Sequence, residues 1–158
     1  MATQWTAQGI SAGAVLPAAT LQSIGAAWET WTPALTASTT NPTLGTGSTA
    51  TGRYGRINKT VFGNCRVFFG TAGANAGSGF YFVSLPITAQ AAGNLVAGSG
   101  YVKDASTGLV RHVSVAIDST SRVGLYLEDQ INYAVSSTNP WTWAASDQIQ
   151  FSFEYEAA

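Results

Sequence analysis

The chain has 158 residues, enough for one domain, of which 46% are hydrophobic and only 9% are Asp, Glu, Lys or Arg, with a net charge of -1. Average soluble proteins carry roughly 25% charged residues, so this surface is made of Thr, Ser, Asn, Gln and Gly, which lose less when buried against another subunit than charged groups would. Seven Lys and Arg scattered from Arg53 to Arg122 argue against nucleic acid as a partner, no apolar run approaches a membrane span, the stretch before Arg53 lacks the basic head of a secretory signal, and a single cysteine, Cys65, excludes an intramolecular disulfide framework.

Residues 1–29 read as an N-terminal docking arm ahead of a β-domain over 30–158. The arm is rich in Ala and Gly, and Glu29 is the one charged side chain in the first 52 residues, so docking it against another protein costs little desolvation. Trp5, Ile10, Val15, Leu16, Leu21, Ile24 and Trp28 are its candidate contact residues. Its one helical candidate starts at Pro17 and places Leu21, Ile24 and Trp28 at i, i+3 and i+7. That is about two turns, too short to be stable alone. The alternative is a disordered leader.

From Thr30 onward the apolar period is two. "WTPALTA" is the first short strand, with Pro33 suited to an edge or first-pair position. A Thr/Asn/Pro/Gly loop follows, free of charge, and "GRYGRI" returns. "TVFGNCRVFFG" aligns Val61, Cys65, Val67 and Phe69, with Gly63 as a bulge or a point of close approach. "GFYFVSLP" and "GSGYVKDA" are further strands. "VRHVSVAI" and "RVGLYL" are joined by the hairpin-length turn Asp118 to Ser121. The clearest alternation is "QIQFSFEY", with Ile149, Phe151, Phe153 and Tyr155 on one face and Gln148, Gln150, Ser152 and Glu154 on the other. Roughly eight short strands separated by turns predict an all-β fold, an antiparallel β-sandwich or jelly roll.

Candidate chemistry is sparse. His112 alternates with Val113, Val115 and Ile117, so it points away from their face, as a surface or subunit-contact residue would. Cys65 lies on an apolar face as a small hydrophobe. The eight carboxylates are Glu29, Asp104, Asp118, Glu128, Asp129, Asp147, Glu154 and Glu156, and only the adjacent pair Glu128 and Asp129 has a nearby partner. With Asn132 they form a weak version of a calcium loop. "GTAGANAGSG", Gly70 to Gly79, lacks the Lys and following helix of a phosphate loop and reads as a mobile or inter-strand loop. Asn58 opens an "NKT" acceptor pattern. Trp141 and Trp143 share a face of an extended segment, with Tyr133 just before them: exposed, they would stack on a glycan; buried, they would be packing. No catalytic residue, metal ligand or cofactor is expected.

The runs "WTPALTASTTNPTLGTGSTATGRYGRI", "VFFGTAGANAGSGFYFVSLP" and "PWTWAASDQIQFSFEYEAA", preceded by "SAGAVLPAATLQSIGAAW", resemble a module and short leader found in tail-associated and other virion proteins of actinobacterial phages. The resemblance covers nearly the whole chain and brings no catalytic residues. It implies a non-enzymatic virion protein, an oligomeric knob and most naturally a homotrimer, whose arm contacts other virion proteins. As a minor tail component it would bind a host cell-surface glycan. As an alternative it would decorate the capsid or belong to a head fibre, and a carbohydrate-binding or glycan-active module is a further alternative.

Overall fold

The computed structural model describes residues 27–93, 95–128 and 134–158. These form nine β-strands and no helix: β1 Glu29–Trp31, β2 Leu35–Ala37, β3 Thr49–Ile57, β4 Thr60–Phe68, β5 Tyr81–Ser84, β6 Leu95–Lys103, β7 Val110–Ser119, β8 Arg122–Leu127 and β9 Gln148–Glu156. All pairings are antiparallel, as short strands with turn-rich connections predict. Of the arm's contact residues, Trp5, Ile10, Val15, Leu16, Leu21 and Ile24, with the helical candidate at Pro17, lie outside the described residues.

The strands form one sheet in the order β1-β3-β4-β9-β6-β7-β8-β5-β2. The two terminal strands are sequence neighbours, separated by Thr32, Pro33 and Ala34. Four Cα steps span at most about 14 Å, so the sheet curls until its two ends meet at this point. The ninth strand arises because "WTPALTA" divides at Pro33, which has no N–H to give a ladder. Its first half pairs with β3 and its second with β5. The eight-strand expectation and the nine strands observed thus differ by one proline.

The core fills the inside of the curl. On β9, Ile149, Phe151, Phe153 and Tyr155 are all buried, as the alternation requires. Their partners are Val67, Cys65, Gly63 and Val61 on β4, and Val102, Gly100 and Gly98 opposite the first three on β6. The aromatics need those glycines: a Cβ on Gly100 would stand 2.1 Å from the Gln150 carbonyl oxygen and 2.5 Å from Phe151 Cβ. Gly63 keeps regular pairing with Tyr54 and Phe153, so it is the close-approach point rather than a bulge. The register shifts lie instead between Val96 and Gly98 and between Ile117 and Ser119. Beside the second shift, Asp118 pairs with Arg122 at 2.6 Å, and the guanidinium lies 3.9 Å from the Phe82 ring centroid.

The uncharged loop after β2 is matched by the Gly-rich loop after β4. Thr40, Thr43 and Thr46 bridge Ser78, Asn75 and Ala72. Backbone N–H groups donate both ways at the first two pairs, at 2.8 to 3.0 Å. The bridges recur every three residues, and glycines at positive φ, among them Gly45, Gly73 and Gly77, accommodate the excess chain between them. The Gly70 to Gly79 segment is therefore an inter-strand loop zipped to a second loop of its own chain, and its neutral composition serves backbone pairing within the domain.

Candidate functional site

The expected single-residue candidates are separated by the fold. Cys65 faces the core and His112 is exposed on the opposite face, three strands away or roughly 14 Å at the usual strand spacing. Burial pushes the Cys65 thiol up to about 12, which removes it as a nucleophile. Asp147 is buried, its Oδ1 accepting from the Ala105 N–H and its Oδ2 from the Ala144 N–H, both at 2.9 Å. It ties two turns together. Asp104 caps its own turn, and the hydroxyls of Ser106 and Thr107 hold its carboxyl below the usual carboxylate value. Glu128 accepts from Ser114 Oγ at 3.1 Å, whereas Asp129 and Asn132, its partners in the calcium expectation, lie outside the described residues. Among the described residues no three His, Cys, Asp or Glu side chains gather as a metal site.

The aromatic candidates divide in the same way. Trp143 is 2% exposed, stacked on Phe69 at 5.3 Å between centroids, and its Nε1–H donates to the Ser136 carbonyl at 2.8 Å. It offers no ring face to a sugar and belongs to the core, the packing alternative of the sequence reading. Trp141 is half-buried against it at 5.7 Å. Tyr133 lies outside the described residues. Trp28, expected in the arm, packs edge-on against Phe62 at 5.5 Å and remains half-exposed beside Arg53.

A site does form where the sequence reading placed none. The outer face of β1, β3, β4, β9 and β6 carries a groove of about 830 Å³. Strand register sets its lining. Thr30, Arg53, Asn64, Ser152 and Ser99 stand in one row across the five strands. Thr51, Arg66, Gln150 and Tyr101 form the next row. Between these rows the alternate positions Gly52, Cys65, Phe151 and Gly100 turn inward, so one run of paired strands builds the core on one side and the groove on the other. Short side chains at Asn64, Ser152 and Ser99 leave the hollow, and Arg53, Arg66, Gln150 and Tyr101 stand around it. Five strands give it a length of roughly 19 Å.

The groove's electrostatics are simple. Among the described residues no Asp or Glu lines it, and its charges are Arg53 and Arg66. Arg66 is oriented from two sides: its Nη2 donates to Gln148 Oε1 at 3.4 Å, and its guanidinium lies 5.7 Å from the Phe68 centroid. Gln150 Nε2 donates to the same Gln148 oxygen at 2.9 Å, which fixes the neighbouring amide. Arg53 lies 5.5 Å from the Trp28 centroid. Among the described residues, Thr51, Asn64, Ser99 and Ser152 have no side-chain hydrogen bond within the chain, so their hydroxyl and amide groups are available to water or a ligand. The sequence signal was the outward half of the alternation, Gln150 and Ser152 in "QIQFSFEY", but its partners come from segments far apart in the chain.

The chain matches no protein-family model, no curated protein and no solved structure at significant similarity.

Proposed function

We propose that the protein is a non-enzymatic bacteriophage virion component whose β-domain binds a host cell-surface glycan in the outer-face groove. In this reading residues 1–29 dock it to other virion proteins, and copies associate as a homotrimer. The groove carries the proposal. It offers hydroxyl, amide and guanidinium groups on paired strands, a rigid base for a binding constellation, with the Tyr101 ring at one end for contact with a sugar face. Its volume falls within the range of small-molecule and saccharide-sized sites. Among the described residues its lining lacks the carboxylate pair that glycoside hydrolysis uses, which favours binding over turnover.

Two measurements test it. Labelling the exposed C-terminal residue Ala158 and imaging intact particles should place the label at the tail. Label over the head would replace the tail assignment with capsid decoration, and label on no particle would overturn the virion reading. Separately, fluorescent protein should bind the cells on which the phage propagates, and Ser152→Trp, which fills the groove from an exposed strand position, should abolish that binding with the melting temperature retained. Undiminished binding by the variant would overturn the groove as the site.

A further inference from the structure

The groove's ligand carries negative charge: we infer that Arg53 and Arg66 together hold the carboxylate or phosphate of an anionic polyhydroxyl chain, such as an acidic glycan or a polyol phosphate. The inference rests on the groove's being the ligand site.

Two observations carry it. First, the two arginines are diagonal neighbours on β3 and β4, because Arg53 pairs with Asn64 and Thr51 with Arg66. Diagonal side chains on one face start about 7 to 8 Å apart, close enough for both guanidinium groups to reach one anionic group. Second, no described residue neutralises them. Among the described residues neither has a carboxylate within ion-pair distance, while Arg122 does. The next acidic side chain on this face is Glu154, opposite Phe62 and one row beyond Ser152. Two like charges side by side repel, in a protein with only seven Lys and Arg, and an anion between them removes that repulsion. Arg53 lies toward Trp28 and Arg66 toward Phe68 and Gln148, at opposite ends of the diagonal, so an anion shared by both draws the two side chains inward to form the bidentate contacts that guanidinium groups make with carboxylate or phosphate.

The rest of the lining selects the chain that bears the anion. Thr51, Asn64, Ser99 and Ser152 present neutral donors and acceptors along the groove, the complement of a polyhydroxyl chain. A nucleic acid would call for a basic track with several stacking aromatics; among the described residues the groove supplies two positive charges, and of its aromatics Trp31 and Phe151 pack toward the core, which leaves Tyr101.

The test is titration calorimetry of the full chain with four oligomers of matched length: oligogalacturonate, oligo(glycerol phosphate), a neutral oligogalactose and single-stranded DNA. The expected result is binding of the carboxylate oligomer, the phosphate oligomer or both, which tells the two anion sources apart. Arg53→Gln and Arg66→Gln should each weaken it about tenfold or more, the scale of one lost charge-assisted hydrogen bond. Lys59→Gln, the same charge change in the exposed β3–β4 turn, should leave it unaltered. Equal weakening by Lys59→Gln would reduce the effect to net charge and overturn the clamp. Neutral oligomer bound as tightly as the acidic ones, insensitive to either arginine but lost in Ser152→Trp, would overturn the anionic ligand and keep the groove as a glycan site. Tightest binding of DNA would overturn the ligand class, and no binding of any oligomer would overturn this inference and the glycan-site reading with it.

Discussion

Truncating Phe153 to Ala tests the register on which both core and groove depend. Phe153 is 4% exposed and lies 5.8 Å from the Tyr155 ring, 6.2 Å from that of Phe151 and 6.2 Å from that of Trp31, the last edge-on. Its paired neighbours are Gly63 and Gly98, neither of which has a side chain that could move into the space left behind. The site therefore collapses poorly, and the loss should reach the usual range for a buried Phe, about 3 to 5 kcal/mol. Ser152→Ala and Glu154→Ala, on either side of it and facing outward, should each stay within about 0.5 kcal/mol. Urea unfolding followed by tryptophan fluorescence measures all three, with an unchanged m-value confirming that the same surface is exposed on unfolding. A loss below about 1 kcal/mol for Phe153→Ala, or a comparable loss for Ser152→Ala, would refute the assignment of faces on β9 and with it the groove's lining.

Three further outcomes follow from the described packing. Gly52→Ala should destabilise the domain, because a Cβ there would stand 2.0 Å from Trp31 Nε1 and 2.4 Å from its Cε2; in a Trp31→Leu background the same change should be milder, and a double-mutant cycle showing no coupling would refute the contact. Asp147→Ala should cost about 2 to 3 kcal/mol by removing two hydrogen bonds to a buried acceptor and leaving their donors unpaired, read as a lower urea midpoint; a midpoint equal to wild type would refute its role in tying the turns. Stability should fall in alkali: folding raises Cys65 from 9.0 to about 12 and Tyr155 from 10.0 to about 12, in both cases chiefly by burial. The folded chain keeps protons that the unfolded chain releases, so the contribution is complete below about pH 9 and is lost as pH rises toward 12. Cys65→Ala should flatten the first part of that decline, and an identical decline in the variant would refute the assignment.

The strands were legible because their information is local. In "QIQFSFEY" every second residue is apolar, and burial follows that pattern without exception from Ile149 to Tyr155. The paired loops were not, since Thr40, Thr43 and Thr46 meet their partners through backbone atoms at a spacing of three, which leaves no hydrophobic period to read. For Trp141 and Trp143 the alternation left exposure and packing open: their segment lies outside any strand, and stacking on Phe69 buries Trp143. The groove was hidden for a third reason. Arg53, Asn64, Ser152 and Ser99 become neighbours only once β9 is known to insert between β4 and β6, a long-range pairing that no local pattern encodes.

The break at Pro33 also bears on how such a domain behaves in a crowd. A sheet ordinarily ends in strands whose open N–H and C=O groups can recruit another chain, and long flat edges of that kind seed aggregation. Here the strands that end the sheet, Glu29–Trp31 and Leu35–Ala37, are three residues each and belong to one segment, with a proline between them. Edge-to-edge pairing through either of these strands has only three residues of backbone to grip, too short a template for another chain to extend the sheet there.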